Sequence, residues 1–245
     1  MSVTAPASFL DIVQRLAREC RVPGTGPSTV VSQTGLLARL VNWASAAWVE
    51  IQAMHPEDWK FLRQSASWAT VAGTSVYPLG TGAGTVGVAA SAFGAWITRA
   101  TSSRDSTFRC YTTSVGTTDE QVLDRTGYDA WRDTYLMSGA RSVRSRPVVC
   151  AIDDAFGVAL GPVPAAGYTI TADYRRKPVL LEADADIPAC PREYFMLIVY
   201  LAMKKYGAGE GAPRLYQEGA AEYNKMLPQM ERACLPRPRL MGGLG

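Results

Sequence analysis

Apolar residues recur at helical spacing at both ends of this chain and give way to alternation and glycine-rich runs between them. Helices carrying apolar stripes must bury them together, so segments far apart in sequence have to meet in one core. Near the start, Phe9, Leu10, Ile12, Val13, Leu16 and Ala17 share one face, with Asp11, Gln14, Arg15 and Arg18 opposite. Ser8-x-x-Asp11 has the form of a capping arrangement, and PGTGPST at 23–29 cannot continue the helix. From about Gly35 to Met54, the positions Leu36, Leu40, Trp43, Ala47, Trp48 and Ile51 predict a second helix, ended by Pro56. Pro191 is expected to open a third through Leu197, Ile198 and Leu201, and GAGEG at 207–211 to form a loop. Pro213 then starts a fourth with Leu215, Tyr223, Met226 and Met230, kinked or shortened at Pro228.

The period changes in the middle. Residues 61–78 predict a hairpin turning at Ala72-Gly73-Thr74, and 79–118 predict short strands in long loops. A helical patch broken near Gly127 is expected over 118–137, followed by a meander-like set at 147–152, 157–160 and 168–174. The predicted class is α+β: a four-helix bundle formed by both chain ends, a β-rich insert and an extended C-terminal tail. The expected boundaries are 1–62, 63–180, 181–233 and 234–245.

Charge narrows the function. The 25 Lys and Arg against 22 Asp and Glu give +3, but Arg232, Arg237 and Arg239 follow the last acid, Glu231, so the body is neutral. A dedicated nucleic-acid binder needs a basic face, which argues against that class. The five cysteines (Cys20, Cys110, Cys150, Cys190, Cys234) are an odd number without CxxC spacing and read as buried, reduced thiols of an intracellular protein. The first twenty residues lack the pattern of a signal peptide, and no apolar run approaches the ~20 residues of a membrane helix.

Sites for chemistry are scarce. Gly82-Ala-Gly84-Thr-Val-Gly87 matches GxGxxG, with Asp105 further on, but such a motif binds a dinucleotide only where its turn opens a helix. His55 is the only histidine and stands at a helix end, where a capping role outweighs catalysis. Glu182, Asp184 and Asp186 alternate as hard-cation ligands would, without an EF-hand's glycine, and read as a solvated linker. The six tryptophans fall mostly at core positions. No catalytic group, cofactor or metal is expected, and the chain is read as a non-enzyme.

What remains distinctive is PGTGPSTVVSQTGLLARLVNWASAAWVEIQAMHPEDWKFLR, then YPLG, a Gly-Asp/Tyr-Trp-Arg patch, DYRRKPVLLEADADIP and REYFMLIVYLAMKKYGAGEGAPRLYQEGAAEYNKML. This resembles the head-to-tail adaptor proteins of tailed bacteriophages, related to the tail tubular protein A type, from about residue 8 to 233. The resemblance implies a dodecameric ring at the head-tail junction of the virion, assembled in the host cytoplasm. Its partners would be other copies, the portal protein and a downstream tail or nozzle protein. Genomic DNA would pass through the lumen without sequence-specific binding, and no membrane is involved. The tail would dock on the portal through Leu235, Arg237, Arg239, Leu240, Met241 and Leu244. Ring contacts are expected between Arg141, Arg144, Arg146, Arg175 and Arg176 and an adjacent copy's Glu182, Asp184 and Asp186. The competing readings are a dinucleotide-dependent enzyme using Gly82–Gly87 and a monomeric carbohydrate-binding or decoration module.

Overall fold

Ser8 accepts the backbone N–H of Asp11, and the Asp11 carboxylate accepts that of Ser8, so the first helix, α1 (Phe9–Glu19), starts in a complete capping box. The computed structural model describes residues 8–55, 59–98 and 107–236. They divide into two compact units: the segments up to Leu62 and from Pro178 onward form one, and Arg63–Lys177 the other.

The first unit is helical. α2 (Gly35–Met54) buries Leu40, Ala44, Ala47, Trp48 and Ile51 and is C-capped at His55. Pro191 does not open a long helix; a 3-10 turn at Arg192–Tyr194 precedes α4 (Phe195–Gly209). α4 is not amphipathic. Phe195 to Val199 are all buried, as are Leu201, Ala202 and Met203, because this helix packs against α1, α2 and α5 (Pro213–Cys234) together.

One expectation about this unit is corrected by packing. The run expected as a loop at 207–211 is helical through Gly209, since Gly207 is buried where α4 meets α5. A Cβ there would stand 2.4 Å from the Tyr216 nitrogen, and one at Gly219 would stand 2.9 Å from the Tyr200 carbonyl oxygen. The two helix backbones touch through these glycines, which outweighs their poor helix propensity. α5 also continues through Pro228 rather than stopping there. Pro228 and Asn224 are both exposed, so the carbonyl left without a donor faces water.

The second unit is a layered β structure. One sheet joins β1 (Arg63–Ala69), β11 (Tyr168–Arg176), β4 (Arg109–Thr112) and β5 (Gln121–Val122) in that order, with β3 (Phe93–Trp96) also on β11. A second sheet runs β2 (Val76–Tyr77), β9 (Val158–Gly161), β8 (Val149–Ile152) and β6 (Asp124–Arg125). A short parallel pair joins β7 (Arg144–Ser145) to β10 (Val163–Pro164). Trp68, Trp96, Cys110 and Ile170 of the first sheet share a core with Tyr77, Cys150, Val158 and Leu160 of the second. The far face of the second sheet, Ala151 and Ala159, packs on Trp131 of α3 (Tyr128–Tyr135).

Three expectations fail here. The turn at Gly73 exists (φ +85°), but β1 and β2 enter different sheets, so it is a corner and not a hairpin. Only the β8–β9 pair of the expected meander is sequential, because β11 inserts between β1 and β4. The helical patch begins only after Gly127; Gln121–Val122 and Asp124–Arg125 are strand, drawn into ladders with β4 and β8.

Candidate interaction surfaces

The acidic linker is a structural clasp. The Asp186 carbonyl accepts the Phe9 N–H at 2.8 Å and the Asp184 carbonyl the Leu10 N–H at 3.2 Å, meeting donors that the first turn of a helix leaves unpaired. The Asp184 carboxylate accepts the Val30 N–H at 2.5 Å and the Thr29 hydroxyl at 3.1 Å. The Asp186 carboxylate accepts the N–H groups of Ala183 and Glu182, which hold it below the ordinary carboxylate range. Of the three expected interface acids, only Glu182 has an exposed side chain.

The expected arginines also separate. Arg146 is half-buried: it pairs with Asp119 at 2.7 Å and donates to the carbonyls of Cys110 and Asp119. The Thr112 hydroxyl, against the cost of desolvation, and the Arg146 guanidinium hold the Asp119 carboxyl below its usual range. Arg141 and Arg144 are exposed on the loop and short strand after α3. Arg175 and Arg176 are half-buried at the end of β11.

Sequence reasoning missed the outer face of the first sheet. The register of β1 on β11 sets Arg63 opposite Arg175, Ser65 opposite Asp173 and Ser67 opposite Thr171, and Thr171 in turn faces Arg109 on β4. These positions alternate with the buried Ala66, Trp68, Ile170 and Ala172, so they share the opposite side. Arg63 and Ser65 both hydrogen-bond Asp173, and Arg109 pairs with Glu120 at 3.3 Å. Burial works against the charged Asp173, but the bonds from Arg63 and Ser65 and the charges of Arg63 and Arg109 outweigh it and hold its carboxyl low. The alternation of Arg, Ser, Thr and Asp on β1 and β11 was the available signal, but only the register shows which arginines meet.

The enzymatic features are absorbed locally. The Gly82–Gly87 run lies inside a loop closed by the Gly80 N–H on the Val88 carbonyl and leads to β3, so its turn does not open the helix that a dinucleotide fingerprint requires. Asp105 lies outside the described residues. His55 Nε2 meets Glu231 at 3.0 Å while its ring edge packs on Trp59, which joins the end of α2 to α5. All five cysteines are buried free thiols. Among the described residues no group of three or more His, Cys, Asp or Glu could hold a metal ion, and no helix is long and apolar enough to cross a membrane. Of the expected docking tail only Leu235 is described, half-buried at the end of α5; Arg237, Arg239, Leu240, Met241 and Leu244 lie outside the described residues.

No curated protein matches the chain. A family, however, does: the sequence model of the SU10 adaptor proteins covers residues 7–239, from just ahead of the Ser8 cap to beyond α5, and takes in both units. A chain of clasps, buried thiols and polar faces matched over that whole span belongs to the SU10 adaptor protein family, a family of phage adaptor proteins.

Proposed function

We propose that this chain is a head-to-tail adaptor of the tail tubular protein A type, which assembles into a dodecameric ring between the portal and the downstream tail or nozzle protein. In this reading the protein is non-enzymatic, its four long helices act as a bundle that carries the ring, and genomic DNA passes through the lumen. The observation that carries it is the match of one adaptor family across residues 7–239.

Copies would meet side by side in a heterologous contact, which closes into a ring when the rotation permits. Arg141 and Arg144 against Glu182 of the adjacent copy is the charged contact that remains open, since Arg146, Asp184 and Asp186 are engaged within their own chain. The segment from Pro236 onward would order on the portal, Pro236 and Pro238 lowering the entropy lost on docking.

Native mass spectrometry and negative-stain images of the protein, alone and with portal, test the reading. A ring is expected in at least one of the two states, and a monomer in both overturns it. Ending the chain at Pro236 is expected to leave the melting temperature unchanged and abolish portal attachment.

A further inference from the structure

The linker that follows the β unit carries an unused strand edge. The buried side-chain amide of Gln52 donates to the Val179 carbonyl at 3.0 Å and accepts the Val179 N–H at 3.1 Å. Both backbone groups of Val179 therefore face α2, as those of an extended residue face a paired strand. The Leu181 carbonyl faces α2 as well, where it accepts the Ser45 hydroxyl at 3.0 Å. Backbone groups of an extended chain alternate in direction, so the N–H and C=O of Leu180 point away from α2. Neither has a partner among the described residues.

The side chains along this edge are equally open. Val179 is 41 % and Leu180 53 % exposed, and Glu182 is exposed with no ion pair among the described residues. A free donor and acceptor flanked by aliphatic side chains and a carboxylate fit an extended polypeptide with apolar and basic residues, added as a strand. Four stretches lie outside the described residues: 1–7, 56–58, 99–106 and 237–245. Only the last joins arginines, Arg237 and Arg239, to large apolar side chains, Leu240, Met241 and Leu244.

Spacing sets the direction. Leu180 and Glu182 are two apart and share one side, as do Arg239 and Met241 in an extended tail. An antiparallel pairing that places Met241 opposite Leu180 also places Arg239 opposite Glu182, and leaves Pro236 and Pro238, which lack N–H donors, outside the paired stretch. The chain's own tail approaches from the wrong end. His55 holds Glu231 at 3.0 Å and Lys60 holds the Ala233 carbonyl at 3.1 Å, so α5 ends beside the C-terminal end of α2. Ser45, which holds Leu181, lies about 15 Å back along α2 from His55. A tail arriving at the Val179 end runs parallel to the edge and brings Arg239 to Pro178 instead of to an acid.

We propose that residues 237–245 of a second copy of this chain add to the Leu180 edge as an antiparallel strand, with Arg239 on Glu182 and Met241 against Leu180. Leu180 and Met241 then exchange both of their backbone hydrogen bonds. The contact belongs to the protein before it meets a portal and does not rest on the ring. A tail held this way is released before it docks elsewhere, which leaves Glu182 open.

A synthetic peptide of residues 236–245, titrated into the full-length protein at low concentration without portal and followed by amide NMR, tests the contact. Saturable shifts are expected at Leu180 and Glu182, with Val199 in the core of α4 unmoved. Glu182→Arg is expected to weaken the wild-type peptide severalfold and to bind the peptide carrying Arg239→Glu in its place. Without added peptide, the Leu180 amide of the full-length protein should exchange more slowly as protein concentration rises. No shift at millimolar peptide overturns the proposal, as does binding indifferent to the charge exchange or centred on Arg141 and Arg144. Protection of Leu180 that survives dilution assigns the edge to the chain's own tail and also overturns it. Ring formation and portal attachment are read separately and stand or fall without affecting this result.

Discussion

Asp184 holds the backbone N–H of Val30 at 2.5 Å across 154 positions of sequence, so the acidic linker and the segment between α1 and α2 are one structure. Its carbonyl also takes a donor from the first turn of α1. Asp184→Ala leaves the Val30 N–H and the Thr29 hydroxyl without their acceptor. A loss of about 1–3 kcal/mol is expected, read as a lower urea midpoint with an unchanged slope.

Acid should loosen the same clasp. The folded pKa of Asp186 is depressed by the Ala183 and Glu182 N–H groups, and those of Asp119 and Asp173 are depressed as well. A carboxyl whose folded value lies below its unfolded one stabilises the fold above the unfolded value near 3.9, and loses that contribution as pH falls through the folded value. Urea midpoints should therefore be flat near neutrality and fall below about pH 4, with a shallower fall in Asp186→Ala.

The α4–α5 contact depends on missing side chains. A Cβ at Gly219 would approach the Tyr200 carbonyl oxygen and the Lys204 nitrogen at 2.9 Å, and backbone cannot step aside as a flexible side chain would. Gly219→Ala is expected to destabilise by about 1–3 kcal/mol despite its gain in helix propensity. Thermal unfolding followed by circular dichroism decides this, and a stabilised variant would show that the helices are not in contact there.

The helical unit should survive without its insert. The β unit enters on β1 and leaves on β11, whose ends are register partners at Arg63 and Arg175, so a short Gly-Ser linker can replace Arg63–Lys177. The remnant is expected to be helical and to melt cooperatively. Leu40→Ala and Ile198→Ala, both fully buried, should each cost about 2–5 kcal/mol in it.

The thiols should be silent until the chain unfolds. Burial pushes Cys20 and Cys190 up to about 12, aided by Glu19 for the first and Cys234 for the second, and Cys110 and Cys234 also lie above their ordinary value. A thiol reagent at pH 8 should label none of the five rapidly in the native protein and all five in denaturant.

Residues 8–19, 35–54 and 213–230 declared themselves as helix in the sequence, because a 3.6-residue apolar period, a capping box and a proline at a first turn are local signals read within a few residues. The α+β class was legible from the same change of period. That the two chain ends share one core was also legible, but which distant groups meet was decided only by tertiary structure. Gly207 became helical because Tyr216 presses on it, β1 left its expected hairpin because β11 lies more than a hundred residues away, and Arg146 and Asp184 turned inward to groups no neighbouring residue announces. The facing of Arg63 and Arg175 is of this kind too. A one-residue change in register would send the two side chains to opposite faces, so their meeting is a property of strand pairing and not of either segment's sequence.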